Sequence, residues 1–304
     1  MLHEQEVLCL FDITFEGVAI MKKEYILAAV TPDKHFSVTA SGVKPIDRHD
    51  PAALSVALQI IEDIKPDIYV DLGDLGHFPY LSGFSIKKDL SNRVVTIDGE
   101  TAASSLKADH AVINVWWDYV MKACRRDTKF VQLEGNHDEL LRICRHMEKY
   151  AAVADQDCWF AEKAWHLDQR GVKFVPYQRY GDTGKNYYDL GKLRCLHGQY
   201  ANENFLDKHA KFWPGQSLMF GHMHVYAHKR YPHEKFSLSV QSIGCLATKY
   251  ASYHRGRNNA WTQGMSVVKI FPDGTFLDTF VHILGGRATY GKKVYHAKPI
   301  KGIS

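Results

Sequence analysis

Asp33, His35, Asp74, Asn136, His137, His197, His222 and His224 are the residues of this chain whose types and spacing suit one shared chemistry. Carboxylate, amide oxygen and imidazole, with no thiolate, make a donor mixture suited to manganese, iron, zinc or nickel. Two such ions about 3.5–4 Å apart clamp a phosphate, generate a hydroxide nucleophile and stabilise an in-line displacement. A carboxylate shared by both ions would hold them at that spacing. The six cysteines are scattered with no CxxC pair, which disfavours a disulfide framework or a thiolate zinc site and points to a reducing compartment.

Delivery of these residues requires elements that end at a common place. Five times a short apolar run leads into a polar cluster: Tyr25–Thr31 into Asp33-Lys34-His35, Asp67–Leu72 into Gly73-Asp74, Lys129–Leu133 into Gly135-Asn136-His137-Asp138, Lys192–Leu196 into His197-Gly198, and Ser217–Phe220 into Gly221-His222-Met223-His224. Between them lie helical patterns. Asp50-Pro51 caps a helix carrying Leu54, Leu58 and Ile61 on one face, and Ala108–Arg126 and Glu139–Val153 also read as helices. Strand–helix alternation predicts an α/β fold. Ligands of open α/β sheets bind beyond the carboxyl ends of the strands, where every cluster here falls. Later, Phe236–Leu246, Met265–Phe271 and Thr275–Leu284 read as strands, the last two joined by a Pro272-Asp273-Gly274 turn.

With these motifs in order, the chain resembles the calcineurin-like metallophosphoesterases, whose pattern is DxH, GD, GNH followed by Asp or Glu, His-Gly and GHxH. The resemblance spans roughly residues 25–225, and the HDPAAL and ASYHRGRNNAWTQGMSVVKIF stretches are similar to phage- and bacteria-encoded members. It implies two packed β-sheets flanked by helices. It also implies one metal on Asp33, His35, Asp74 and His224, and a second on Asp74, Asn136, His197 and His222, with Asp74 bridging. Metal-bound hydroxide would attack, and His137 would protonate the leaving oxygen. Many members carry GDxxD, and in the Ser/Thr protein phosphatases the second Asp orients that histidine. His77 stands there instead, which leaves Asp138 as the candidate orienter by proximity in sequence. Phosphoprotein phosphatases of the family grip a phosphate dianion with arginines beside the GD and GNH motifs. This chain has Leu75-Gly76-His77-Phe78 and Glu134, so a singly charged phosphodiester is expected, in a nucleotide or a nucleic-acid strand. The alternatives are a small-metabolite phosphomonoesterase and a non-catalytic scaffold of the same fold. Manganese is the favoured cofactor.

The remaining features are bounds. The 304 residues, 45% hydrophobic and 24% charged, suffice for a sizeable core, and a net charge of +4 permits a phosphate-bearing partner without demanding one. No apolar run approaches the roughly 18 residues of a membrane span, and the acidic N-terminal residues disfavour a signal peptide, so a cytoplasmic location is expected. Oligomeric state has no signal. Asp12-Ile13-Thr14 competes for the role of first motif, but threonine is the poorer ligand, and starting there would force the Tyr25–Thr31 strand into the crossover. Residues 1–24 are therefore expected to be an added strand or hairpin, 25–285 the phosphoesterase domain, and 286–304 a solvated basic tail. Trp116-Trp117 and Phe78-Tyr80-Phe84 are expected in the core or a capping loop rather than on a base-stacking surface. Residues 76–103 read as a long connection.

Overall fold

The computed structural model describes residues 23–38, 49–81, 98–177, 185–233, 237–249 and 259–303. Asp12-Ile13-Thr14, Phe84, Phe236 and all but Lys23 and Glu24 of the expected 1–24 extension lie outside them. The first half alternates strand and helix: β1 (Ile26–Thr31), α1 (Pro51–Ile64), β2 (Ile68–Asp71), α2 (Gly99–Ala123), β3 (Lys129–Leu133), the short α3 (Glu139–Cys144) and α4 (Ala161–Ala164), then β4 (Val172–Val175). The second half is mostly strand: β5 (Tyr187–Leu190), β6 (Leu193–Leu196), α5 (Phe205–Phe212), β7 (Ser217–Phe220), β8 (Tyr226–Pro232), β9 (Ser237–Ile243), β10 (Gln263–Ile270), β11 (Phe276–Ile283), β12 (Arg287–Tyr290) and β13 (Lys293–His296).

Two mixed sheets result. One has the order β11-β10-β1-β2-β3-β4, with β1 to β4 mutually parallel; the other has the order β5-β6-β7-β9-β8, with β6, β7 and β9 parallel. The period-2 alternation of side chains explains their stacking. Ala28, Val30, Val70, Val131 and Leu133 of the first sheet face Leu193, Cys195, Met219 and Ile243 of the second in one buried layer. The alternate residues Ala29, Tyr69 and Phe130 face outward, against Leu54, Ile60 and Ile61 of α1 and Leu106, Trp117 and Val120 of α2. On the far side, Leu218 and Phe220 pack under Phe205 of α5. Two sheets flanked by helices are the sandwich architecture expected of the calcineurin-like phosphoesterases.

Local differences have local causes. Helix α2 begins well before the expected Ala108, because the Asp98 carboxylate caps it by accepting from Thr101 N at 2.9 Å. Trp116, Trp117 and Phe78 are fully buried, as expected of core residues. The expected helix over Glu139–Val153 breaks at Met147, which is extended. The chain then rewinds as a 3₁₀ turn over Glu148–Val153, putting Val153 and Tyr150 against Gly99 at the start of α2. Residues 287–296, expected as solvated tail, are a hairpin on α1. Tyr295 is buried, its hydroxyl and Lys293 Nζ both donate to Asp63 (2.8 and 2.7 Å), and Lys298 N donates to Ser55 Oγ at 2.8 Å. Lysine density hid the apolar contacts that seat it.

Candidate metal centre

The carboxyl ends of β1, β2, β3, β6 and β7 converge, and the loops leaving them carry the motif residues. Four of these residues hold left-handed backbone that only glycine adopts freely: His35 (φ 53°), Asp74 (50°), His222 (64°) and His224 (57°). Each costs on the order of 1–3 kcal/mol, and such strain collects where side chains must be aimed. Packing between the loops leaves no room for extra atoms. A Cβ on Gly135 would sit 2.1 Å from Asp74 N, and one on Gly221 would sit 2.0 Å from Asp33 Oδ2.

Two clusters of side chains result, sharing Asp74. Asp33, His35, Asp74 and His224 bring one ligand atom each within 4.8 Å of one another, as do Asp74, His197 and His222. Asp74 Oδ2 lies 3.6 Å from His35 Nε2 in the first cluster and 3.4 Å from His197 Nε2 in the second. Its other oxygen accepts from His137 N at 2.8 Å. Asn136 Oδ1 joins the second cluster, 3.0 Å from His197 Nε2 and 2.7 Å from His222 Nδ1. In the first, His35 Nε2 and His224 Nε2 are 3.0 Å apart, and His224 Nε2 is 3.4 Å from Asp33 Oδ1. Asp33 is further fixed by His222 N, which donates to both its oxygens.

The donor chemistry fits cations. His197 Nδ1 faces the Leu72 carbonyl at 2.8 Å, so it must carry the proton there. Its Nε2 lone pair then points at Asn136 Oδ1 and Asp74 Oδ2, acceptors facing an acceptor, which only a proton or a cation relieves. Burial opposes protonation of His197, yet the Asp74 and Asp33 carboxylates push it up to about 10. His35 is held well below its usual value by burial and by His137, and His222 is held down to about 4 by burial and by His197. Both stay neutral and keep a lone pair for a metal. Burial raises the Asp74 carboxyl, but the surrounding imidazoles, His197 and His137 foremost, hold it well below the usual carboxylate range.

His137 is half-buried, its ring centroid 4.7 Å from that of His35 and stacked on His77 at 5.1 Å. Its Nδ1 donates to the His77 backbone carbonyl at 2.8 Å. That contact corrects the expectation that Asp138 orients it. The Asp138 carboxylate is wholly buried and accepts from the backbone N–H groups of Leu75, Gly76 and Gly135 (3.2, 2.9 and 3.0 Å), tying the loop after β2 to the loop after β3. Burial and the Asp74 charge push it up to about 7. Glu134 needs a second correction, since its carboxyl is engaged by the backbone inside the protein. It is buried, accepts from Tyr177 N at 2.7 Å, and is pushed up to about 8 by burial, with Asp138 adding to the rise.

The motifs alone do not reveal three supports. His77 places Nδ1 3.2 Å from His35 Nδ1. Trp261 sets its ring edge-on to His224 at 4.2 Å. Lys34, within the first motif, turns its ammonium away from both clusters to Asp71 Oδ2 (2.6 Å) and the Pro32 carbonyl (3.0 Å); both side chains of this ion pair are fully buried.

No family model and no curated protein matches the chain. Several solved structures are similar to it at low identity. Zinc-complexed wild-type Vps29 from Entamoeba histolytica has 10% identity over 84% of this chain and 99% of that one, with a TM-score of 0.35. The phosphoesterase Yfce from E. coli has 16% identity over 84% and 98%, with a TM-score of 0.34. A metallophosphoesterase from Sphaerobacter thermophilus has 13% identity over 85% and 89%, with a TM-score of 0.39. Among the described residues no helix is long and apolar enough to cross a membrane.

Proposed function

We propose that the protein is a two-metal phosphodiesterase. The observation that carries this reading is Asp74 Oδ2, set between His35 Nε2 and His197 Nε2 so that one carboxylate oxygen belongs to both ligand clusters. Asp33, His35, Asp74 and His224 would hold one ion; Asp74, Asn136, His197 and His222 would hold the other. Manganese is favoured, because oxygen and imidazole donors without thiolate suit it. When bound, the pair supplies Lewis acidity and a nucleophile at neutral pH.

The chain's own residues do the rest. Asp33 and Asp74 orient their oxygens through backbone donors, and the Leu72 carbonyl fixes the His197 tautomer. His137, turned by the His77 carbonyl at Nδ1, would be the group that protonates the leaving oxygen. The diester preference is supported by Leu75-Gly76-His77-Phe78, which carries no dianion-gripping arginine after Asp74, and by Lys34 facing Asp71 instead of the clusters. Hydrolysis of bis(p-nitrophenyl) phosphate by manganese-loaded protein should exceed that of p-nitrophenyl phosphate. Faster turnover of the monoester would replace diester with monoester chemistry, and inertness toward both would overturn the enzyme reading.

A further inference from the structure

The outer face of the second sheet carries an unusual run of rings. Tyr200 meets Phe212 at 6.5 Å, Phe212 meets Trp213 at 5.2 Å, and Trp213 meets Tyr187 at 5.2 Å. Cations lie among them. The Arg194 guanidinium sits 3.5 Å over the Tyr187 ring and 4.8 Å from Trp213, and Lys208 Nζ lies 5.9 Å from the Tyr200 ring. Tyr200, Lys208, Lys211 and Phe212 line an open groove of about 370 Å³. Phe212 is 39% exposed. Lys208 and Lys211 are exposed one helical turn apart on α5, and Lys211 touches the Asp207 carboxylate only through its field. Lys229, by contrast, is tied to Asp207 at 2.6 Å.

This ribbon is built onto the metal centre. Tyr200 follows His197 by three residues. Between them Gln199 N donates to His209 Nε2 at 3.0 Å, and His209 sits on α5 beside Lys208. The His209 ring stacks at 4.0 Å on Phe220, which leads directly into Gly221 and His222. Helix α5 is therefore fastened to two ligand loops on its buried side and carries exposed positive charge and an aromatic edge on its open side.

We propose that the ribbon from Tyr200 to Tyr187 is a docking track for a single strand of nucleic acid presented to the neighbouring site; the proposal rests on the phosphodiesterase reading. Exposed ammonium groups recognise the backbone phosphates. Aromatic rings accept bases of any identity, because every base has a π face. An acidic peptide would use the lysines and leave the rings without a role. A mononucleotide would fill only part of a run three ring-to-ring steps long.

The test uses metal-loaded full chain, a fluorescein-labelled phosphorothioate deoxythymidine strand about 16 nucleotides long, and anisotropy across a salt series. Wild type should bind with strong salt dependence. Lys208→Ala/Lys211→Ala should weaken binding and flatten the slope of log K against log salt by about 1.4, two phosphates at about 0.7 each for a single strand. Phe212→Ala should weaken binding at least about fivefold with the slope unchanged, as loss of a stacking partner does. Turnover of bis(p-nitrophenyl) phosphate should be the same in wild type and both variants. Oligonucleotide binding that is absent in wild type, or unchanged in affinity and slope in the lysine variant, overturns the track, as does preference for anionic phospholipid vesicles over the strand. Failure of wild type to hydrolyse the small diester would instead overturn the phosphodiesterase reading, and the two failures are read from separate assays.

Discussion

His137 and Asp138 adjoin in sequence and serve different ends: one ring faces the clusters, and one carboxylate is spent on three backbone N–H groups. His137→Ala should lower turnover of a diester with a poor leaving group by at least about a hundredfold while metal content holds. Kinetics alongside metal analysis checks this, and near-wild-type turnover would remove His137 as the acid. The orienting contact is a main-chain carbonyl, so no side chain could have announced it, and the position that holds the second Asp of GDxxD carries His77. The ligands themselves were legible because each is polar and belongs to a cluster that follows an apolar run, and Asp74, Asn136, His197 and His222 also sit beside glycine. Gly221 offers the sharpest residue-level test. Gly221→Ala puts a methyl group 2.0 Å from Asp33 Oδ2, so the carboxylate must move. Manganese affinity measured by calorimetry should fall at least about tenfold, in the range seen when support of a metal ligand is lost.

At the scale of elements, the ends of β1 and β2 are joined by a buried ion pair. Lys34 meets Asp71 at 2.6 Å, and Asp71 also accepts from Gly73 N (3.2 Å) and Tyr69 OH (3.2 Å). Burial pushes the Asp71 carboxyl up despite the ammonium beside it. Removing one partner strands the other, so Lys34→Met should cost about 3–5 kcal/mol in chemical denaturation. Lys34→Met/Asp71→Asn, which keeps an acceptor for Gly73 N, should recover part of that loss. A second link runs from α2, where Asp109 accepts from Val38 N at 2.6 Å and Tyr80 OH at 2.9 Å, and burial pushes its carboxyl up to about 7. The folded state thus holds a proton that the unfolded chain releases from about pH 4 upward, and stability declines as pH rises through about 7. Asp109→Asn should flatten that decline and be more stable than wild type at pH of about 8, as read from denaturant midpoints across pH. Neither link could be read from periodicity. The five strand–cluster junctions and the capped start of α1 were legible, because local propensity and burial agree there. The early start of α2, the break at Met147 and the seated hairpin β12–β13 were not, because each depends on a tertiary contact that overrides local composition.

Across the whole molecule, the two clusters should act as ligand-dependent clamps on the two sheets, since Asp33, Asp74 and Asn136 leave the first and His197 and His222 leave the second. Saturation should give two ions per chain by metal analysis. Each ion in hundredfold excess over its Kd adds about 2.7 kcal/mol of stability, so chelation should lower the melting temperature by several degrees. One ion at saturation would contradict the paired centre. The sheet order carries a separate consequence, for synthesis. Strand β1 lies between β2 and β10, and its pairing Ile26↔Ile270 joins the first described strand to one near the far end of the chain. On the ribosome, that side of β1 waits as an open edge until nearly all the chain has emerged. Such late, long-range closure is slow, and an unpaired edge invites pairing with other chains. Nascent chains stalled before Gln263 should therefore be the species that chaperones hold and proteases find.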